Sequence, residues 1–202
     1  TSYLNYFAGV NARVGQSADN QIDCLQALGD ELGNTDGQLW RMRNGYALAS
    51  TEGLTVISTR LAAADETKRD ALMQKLRIVL QWNTQVTLPD CSHTVSQAYC
   101  SALPVAYSSH STDLWANFAQ LVLDAAYEAT VCAAILNWAD TGNDRLFLTL
   151  LGGGAFGNRD SWILAAIDRA LRLFSDLPLD VAIVSFGSSK PSVQRLLESW
   201  AD

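Results

Sequence analysis

Four glycines that follow a short apolar segment are the feature that most constrains this sequence. Residues 146–151 are almost entirely apolar, three successive glycines begin at Gly152, and a fourth stands at Gly157. A short apolar run that ends at glycine is typical of a parallel strand covered by helices on both faces. We therefore expect a strand, a loop over residues 152–158 (the glycine loop), and a helix near Ser161 capped by Asn158 or Asp160.

The glycine loop is suited to an anionic ligand. Glycine lets the backbone approach a bound group closely, and the first N–H groups of a helix have no partner within the helix. Since these groups point towards the preceding loop, they favour a phosphate or pyrophosphate there. The alternative is a tight turn that only lets the next helix pack against the sheet.

The glycine loop also matches the letters G-x-G-x-x-G of dinucleotide-binding folds, from Gly152 to Gly157. That pattern normally has an acidic residue at the end of the next strand, roughly 20 residues on, which binds the ribose hydroxyls. Here the next predicted strand, residues 179–185, ends in Ser185, Phe186 and Gly187. The missing carboxylate argues against a nucleotide-dependent dehydrogenase.

Composition places the chain among globular proteins. Its 202 residues can form one domain with a substantial core, and 49% of them are hydrophobic whereas 17% are charged. Its apolar runs are shorter than a bilayer span, so we expect no transmembrane helix, and the start at Thr1 has no features of a signal peptide. A net charge of −7 and the lack of a basic stripe argue against a nucleic-acid partner.

The cysteines and histidines do not form a metal-binding pattern. No C-x-x-C pair occurs, and only two histidines are present, so we predict no metal site and no cofactor. Two disulfides are possible, but two of the cysteines fall in helical patterns, which favours free thiols and a reducing compartment. The residues concerned are Cys24, Cys91, Cys100, Cys132, His93 and His110.

A second unit of strand, loop and helix is predicted near the N-terminus. Residues 3–8 are a candidate strand, a loop of small and polar residues follows, and Ser17 or Asp19 caps a helix over residues 20–32. This helix would place Asp19 and Asp23 one turn apart. Further along, the sequence predicts a hairpin through Asn44-Gly45 and a helix after Asp65 that gives way to a strand near Arg77.

The second half of the chain alternates helices and strands. The longest predicted helix covers residues 114–138, the strand before the glycine loop follows it, and a last helix covers residues 192–200. Such alternation is typical of the α/β class, with helices on both faces of a mixed sheet.

Several blocks of the sequence resemble macrodomains. Residues 5–19 look like the first ligand loop of that family, with a small-residue loop and an aspartate that opens the next helix. Residues 150–158 look like the second loop, which wraps the pyrophosphate and distal ribose of ADP-ribose. Together with blocks at 82–87, 97–107 and 127–130, they make the chain similar to divergent bacterial-effector macrodomains of the MavL type.

The resemblance implies a three-layer α/β/α fold with a mixed central sheet, formed by one ADP-ribose-binding domain over residues 1–202. It also implies hydrolysis of ADP-ribose from arginine side chains of a modified protein, with ubiquitin as one kind of acceptor. We expect a monomer with no membrane partner, located in the cytoplasm or, if the protein is an effector, delivered to a host cytosol.

The resemblance also assigns candidate site residues. Asp19 matches the helix-opening carboxylate of hydrolytic macrodomains, the glycine loop matches the diphosphate loop, and Phe186 matches an aromatic residue that stacks on adenine. The first loop lacks the family's glycine run and has residues 13–18, Arg-Val-Gly-Gln-Ser-Ala, instead. The predicted ADP-ribose contacts are Asn11, Gln16, Asn20, Gly152, Gly153, Gly154, Ala155, Phe156, Gly157, Asn158 and Phe186.

Asp19, Asp23 and Asn83 are the predicted catalytic residues. Cleavage at the distal ribose passes through an oxocarbenium-like state, which one carboxylate stabilises while another orients water. Asn83 is either a ligand contact or the replacement of a carboxylate. Structural roles remain alternatives, since Asp19 could be a plain helix cap and Asp23 part of a solvated face. The alternative functions are a module that reads ADP-ribose without cleaving it and a nucleotide-dependent oxidoreductase.

Overall fold

The computed structural model describes residues 9–10, 12–17 and 20–200, and within them the protein is a mixed α/β structure. The predicted strand over residues 3–8 lies outside the described residues, as do Asn11 and Asp19. The chain divides into two compact units, Thr1–Tyr99 (the N-terminal unit) and Cys100–Asp202 (the C-terminal unit). The α/β class is confirmed, whereas the single domain and the three-layer arrangement stay predictions.

The N-terminal unit contains three helices and three antiparallel strand pairs among its described residues. The pairs are β1 with β2, β3 with β4, and β5 with β6. In chain order the elements are β1 (Gly9–Val10), β2 (Arg13–Val14), α1 (Gln26–Glu31), β3 (Trp40–Arg43), β4 (Tyr46–Ala49), α2 (Thr51–Ala62), α3 (Glu66–Met73), β5 (Val79–Gln85) and β6 (Thr94–Tyr99).

Local signals explain several of these elements. Asn44 and Gly45 take φ angles of 52° and 78° between β3 and β4, as a two-residue hairpin turn requires, so the predicted hairpin is confirmed. The Asp65 side chain accepts a hydrogen bond from the Lys68 N–H at 2.8 Å and caps α3, so the predicted helix after Asp65 is confirmed.

Helix α1 begins later than the sequence predicts, at Gln26 instead of Asn20. Ser17 and Asn20 form a β-bridge, and Gln16 Oε1 accepts a hydrogen bond from the Ile22 N–H at 2.8 Å. Asp23 Oδ1 accepts another from the Leu25 N–H at 2.8 Å. These bonds hold residues 20–25 outside the helix, because side-chain bonds to the local backbone compete with helical ones. Asp23 therefore precedes α1 and does not lie on its first turn.

The C-terminal unit contains three helices and one pair of parallel strands among its described residues. Parallel pairing runs from Arg145 opposite Asp180 to Thr149 opposite Val184. The predicted order of strand, glycine loop, helix and strand is therefore confirmed. In chain order the elements are α4 (Thr112–Thr141), β7 (Arg145–Thr149), α5 (Asp160–Leu173), β8 (Asp180–Val184) and α6 (Pro191–Glu198).

Burial along β7 alternates. Leu146 and Leu148 are buried, but Phe147 between them is 65% exposed. The apolar run before the glycine loop therefore does not reflect burial on both faces, contrary to the expectation from its composition. Helices α4 and α5 pack against each other, and their buried residues include Phe118, Leu121 and Ile163.

Among the described residues, α4 is the one helix long and apolar enough to cross a membrane by length and composition. In its most apolar stretch, however, 56% of the residues are buried inside the structure. The core helix of a soluble protein passes the same test of length and composition, so this helix is weak evidence for a membrane span. The expectation of no transmembrane segment stays a prediction.

Candidate functional site

The start of the glycine loop is held by the hydroxyl of Tyr127 on α4. This hydroxyl donates to the Thr149 carbonyl at 2.6 Å and accepts from the Leu151 N–H at 2.8 Å. Burial raises the pKa of Tyr127 well above its ordinary value, so the phenol stays protonated and keeps both bonds. One side chain thereby fixes the backbone where β7 ends and the loop begins.

Two glycines of the loop are required by its shape. Gly152 and Gly157 have φ angles of 74° and 69°, which residues with a side chain rarely adopt. A Cβ at Gly152 would lie 2.3 Å from Ala102 Cβ, and one at Gly157 would lie 2.7 Å from Ala106 Cβ. The Ala106 N–H also donates to the Phe156 carbonyl at 2.9 Å. The loop is therefore packed closely onto residues 102–106.

Asn158 closes the loop but does not cap α5 as predicted. Its Nδ2 donates to the Leu103 carbonyl at 2.9 Å and to the Gly152 carbonyl at 3.3 Å. Arg159 occupies the cap position of α5 and makes no side-chain cap bond. Buried Asn158 is thus a brace that joins both ends of the loop, and α5 begins without a side chain bonded to its first N–H groups.

Within the described part of the chain, the glycine loop and the start of α5 leave at least four backbone donors without an acceptor. Gly154 is exposed, and a Cβ added there would meet nothing within 4 Å. The loop therefore offers open space beside unpaired donors, which is the arrangement that binds anions at helix starts. The donors are the backbone N–H groups of Gly154, Ala155, Asp160 and Ser161.

A lysine and an aspartate form an ion pair beside these donors. Lys190 Nζ lies 2.9 Å from Asp160 Oδ1 and 3.0 Å from Oδ2. Asp160 is the first residue of α5, where a carboxylate is stabilised by the helix dipole. Lys190 neutralises this carboxylate, so the pair adds no net negative charge next to the loop.

Two buried polar atoms near the carboxyl ends of β7 and β8 have no hydrogen-bond partner among the described residues. They are Asn158 Oδ1 and Ser185 Oγ. Ser185 directly follows β8, and Asn158 is only 4% exposed. Unpaired buried polar atoms are rare in proteins and often mark a water or ligand position. Their location agrees with the rule that ligands of α/β proteins bind at the carboxyl ends of strands.

The predicted aromatic contacts differ in exposure. The Phe156 ring packs edge-on against Tyr107, with 5.4 Å between ring centres. Phe186, two residues after the end of β8, has a fully exposed side chain. An exposed phenyl ring of this kind is available for stacking, whereas Phe156 already serves packing.

In the N-terminal unit, the predicted first-loop residues support the local backbone. Buried Asn20 donates from Nδ2 to the Val10 carbonyl at 3.0 Å, and Gln16 accepts from the Ile22 N–H. Asp23 uses Oδ1 for the Leu25 N–H, and its Oδ2 bonds to no described residue. Asn11 and Asp19 lie outside the described residues, so their predicted roles stay predictions.

Asn83 lies in a β-bulge of β5. The register shifts between Gln81 and Thr84, so that Trp82 and Asn83 together oppose Ser96. Asn83 has a φ angle of 54°, and its N–H donates to Ser96 Oγ at 3.4 Å. Asparagine tolerates this left-handed conformation better than most residues, so the residue type fits the bulge.

All four cysteines are free thiols. Burial raises the pKa values of Cys100 and Cys132, which makes both thiols poor nucleophiles near neutral pH. Within the described ranges, no group of three or more metal-ligating side chains comes together.

Comparisons with known proteins add no identification. No family model, no curated protein and no solved structure matches this chain.

Two residues beside the loop were not predicted to have a role. Tyr127 stands in one of the blocks that resemble macrodomains, but its role was not predicted, because its hydroxyl meets the backbone of residues more than 20 positions away. Lys190 has a weak signal, since it is the only lysine or arginine between β8 and α6.

Proposed function

We propose that this protein is a macrodomain-like hydrolase that removes ADP-ribose from arginine side chains. The observation that carries the binding half of the proposal is the set of unpaired N–H groups at the glycine loop and at the start of α5. A diphosphate has acceptor oxygens only, so it suits donors that lack acceptors. The exposed Gly154 lets it approach the backbone without meeting a side chain.

The residues around the glycine loop are suited to binding a nucleotide. Lys190 Nζ contacts both carboxylate oxygens of Asp160. It can therefore give up one of these contacts and bind a phosphate oxygen instead. Phe186 offers an exposed ring at the carboxyl end of β8, suited to stacking on adenine. The ribose hydroxyls and the adenine amino group of ADP-ribose are donors suited to an unpaired acceptor such as Asn158 Oδ1.

The proposed reaction breaks the bond between C1 of the distal ribose and a guanidino nitrogen of arginine. Water attacks C1 and supplies the new hydroxyl, and its released proton ends on the departing guanidine. A carboxylate stabilises the oxocarbenium-like state and orients the water. Asp19 and Asp23 are the proposed carboxylates. Asn83 is proposed to orient the substrate by hydrogen bonds, because its amide cannot act as a base at neutral pH.

A reader that binds ADP-ribose without cleaving it is the second candidate. Two observations favour it. One carboxylate oxygen of Asp23 already accepts a hydrogen bond from the Leu25 N–H. Asn83 has an amide side chain, which cannot transfer protons as a carboxylate at that position would. Hydrolysis distinguishes the two functions, since both require binding.

Calorimetry with ADP-ribose tests binding, and incubation with arginine-ADP-ribosylated ubiquitin tests turnover. A hydrolase binds ADP-ribose and releases it from the modified protein, and Asp19→Ala abolishes release while binding remains. Binding without release from arginine, glutamate or serine linkages would identify a reader. If ADP-ribose does not bind but NAD does, the proposal fails and the oxidoreductase alternative gains support.

A further inference from the structure

The C-terminal unit contains a pocket that the proposed function does not use. It has a volume of about 250 Å³ and lies among α4, α5, β8, α6 and the connection between α5 and β8. Ten of its eleven lining residues are apolar, and they include Val131, Phe174, Ile183, Leu196 and Trp200. The pocket opens to solvent on one side, where Leu197 and Trp200 are 54% and 38% exposed.

Trp200 forms one wall of the pocket, and two interactions fix its position. Its indole Nε1 donates to Asp168 Oδ1 at 2.8 Å, and the Arg172 guanidinium lies 4.9 Å from the ring centre. These two interactions hold the ring from the side of α5. Because the ring is held in this way, it does not turn inward to fill the space that neighbouring side chains leave.

The pocket has no charged group to offer a ligand. Arg172 Nε donates to Asp168 Oδ2 at 2.9 Å, so the two nearest charges neutralise each other. Ser175, the one polar lining residue, donates its hydroxyl to the Arg172 carbonyl at 3.1 Å. A charged ligand would lose part of its hydration without gaining a partner, whereas an apolar ligand has no such hydration to lose.

We propose that this pocket binds a small uncharged aromatic molecule of about the size of a substituted benzene. A cavity of about 150 Å³ lined by leucine, isoleucine and phenylalanine is enough for benzene, and pockets for drug-sized ligands begin near 300 Å³. The volume here lies between these limits. The rings of Phe174 and Trp200 add the edge and face contacts that favour an aromatic guest over an aliphatic one.

Toluene is a suitable probe for the full chain. We expect saturable shifts in the methyl NMR signals of the lining residues and a saturable rise in the unfolding temperature. Benzoate, which has the same ring and a negative charge, should bind at least tenfold more weakly. Toluene should bind equally well in the presence of ADP-ribose, because the pocket is separate from the glycine loop.

Variants decide whether the effect comes from the pocket. Val131→Phe places a ring in the pocket and should weaken toluene binding at least tenfold. If Val131→Phe does not fold, Leu177→Phe places a ring in the pocket from the connection after α5 and should have the same effect. Leu136→Phe adds the same kind of ring at a 61% exposed position of α4 outside the lining and should leave binding unchanged. The proposal is overturned if wild-type protein shows no saturable toluene effect, or if a filled pocket retains it.

Discussion

Gly152 and Gly154 lie two residues apart in the glycine loop, but alanine should lower stability at the first position and ligand affinity at the second. At Gly152 the left-handed backbone costs an alanine about 1–2 kcal/mol. The new Cβ would also lie 2.3 Å from Ala102 Cβ, a side-chain atom that no rotation can move away, and such overpacking typically costs about 1–3 kcal/mol. We expect Gly152→Ala to reduce the free energy of unfolding by roughly 2–5 kcal/mol.

Gly154→Ala should leave stability within about 0.5 kcal/mol of wild type, because its Cβ points into open space. The same methyl group occupies the space through which a diphosphate would reach the backbone N–H groups. We therefore expect at least a tenfold loss of ADP-ribose affinity in a protein that is folded like wild type.

Thermal unfolding and calorimetry measure the two effects separately. A loss of 2–5 kcal/mol corresponds to a fall in unfolding temperature of roughly 4–20 °C for a chain of this size. Ser188→Thr, which adds one methyl group in the exposed segment after β8, is a control for a surface methyl group. An unchanged unfolding temperature for Gly152→Ala would refute the packing argument. An unchanged affinity for Gly154→Ala would refute the assignment of the anion site.

Three further substitutions test other parts of the structure. Tyr127→Phe leaves the Thr149 carbonyl and the Leu151 N–H without their partner, so denaturant unfolding should show a loss of about 1–3 kcal/mol. Asn83→Gly relieves the left-handed backbone and should raise stability by up to about 1 kcal/mol; if the amide also orients substrate, hydrolysis falls in the same variant. The hydrogen bond from Arg172 lowers the pKa of Asp168, so this carboxylate stabilises the fold fully above its unfolded pKa near 4, and the contribution is lost as pH falls through the lower folded-state pKa. As the pH falls from about 5 to 2, the free energy of unfolding should therefore decrease less in Asp168→Asn than in wild type. Acid titrations followed by circular dichroism measure this difference.

Local chemistry explains the parts of the fold that could be predicted. Asn44-Gly45 favours a two-residue hairpin turn, and Asp65 accepts a bond from the first turn of α3. The same logic applies to the glycine loop, where an apolar strand, a glycine run and a helix follow one another within about 30 residues. Each of these features depends on residues close together in the chain, so each is visible in the sequence.

The start of α1 shows where local patterns mislead. Helical spacing of apolar residues from Ile22 onward predicts a helix from Asn20, but side-chain bonds from Gln16 and Asp23 hold the backbone in another conformation until Gln26. Periodicity identifies the side of the segment that is buried, but it does not show which competing hydrogen bonds form.

The sequence by itself determined that a glycine loop lies between a strand and a helix, because glycine and apolar periodicity act locally. Only the tertiary structure decided what each loop residue does. Asn158 bonds to a carbonyl 55 residues away, and Gly152 is required because Ala102 lies against it. Such roles depend on which distant segments pack together, and packing of distant segments is not encoded in the pattern of any one of them.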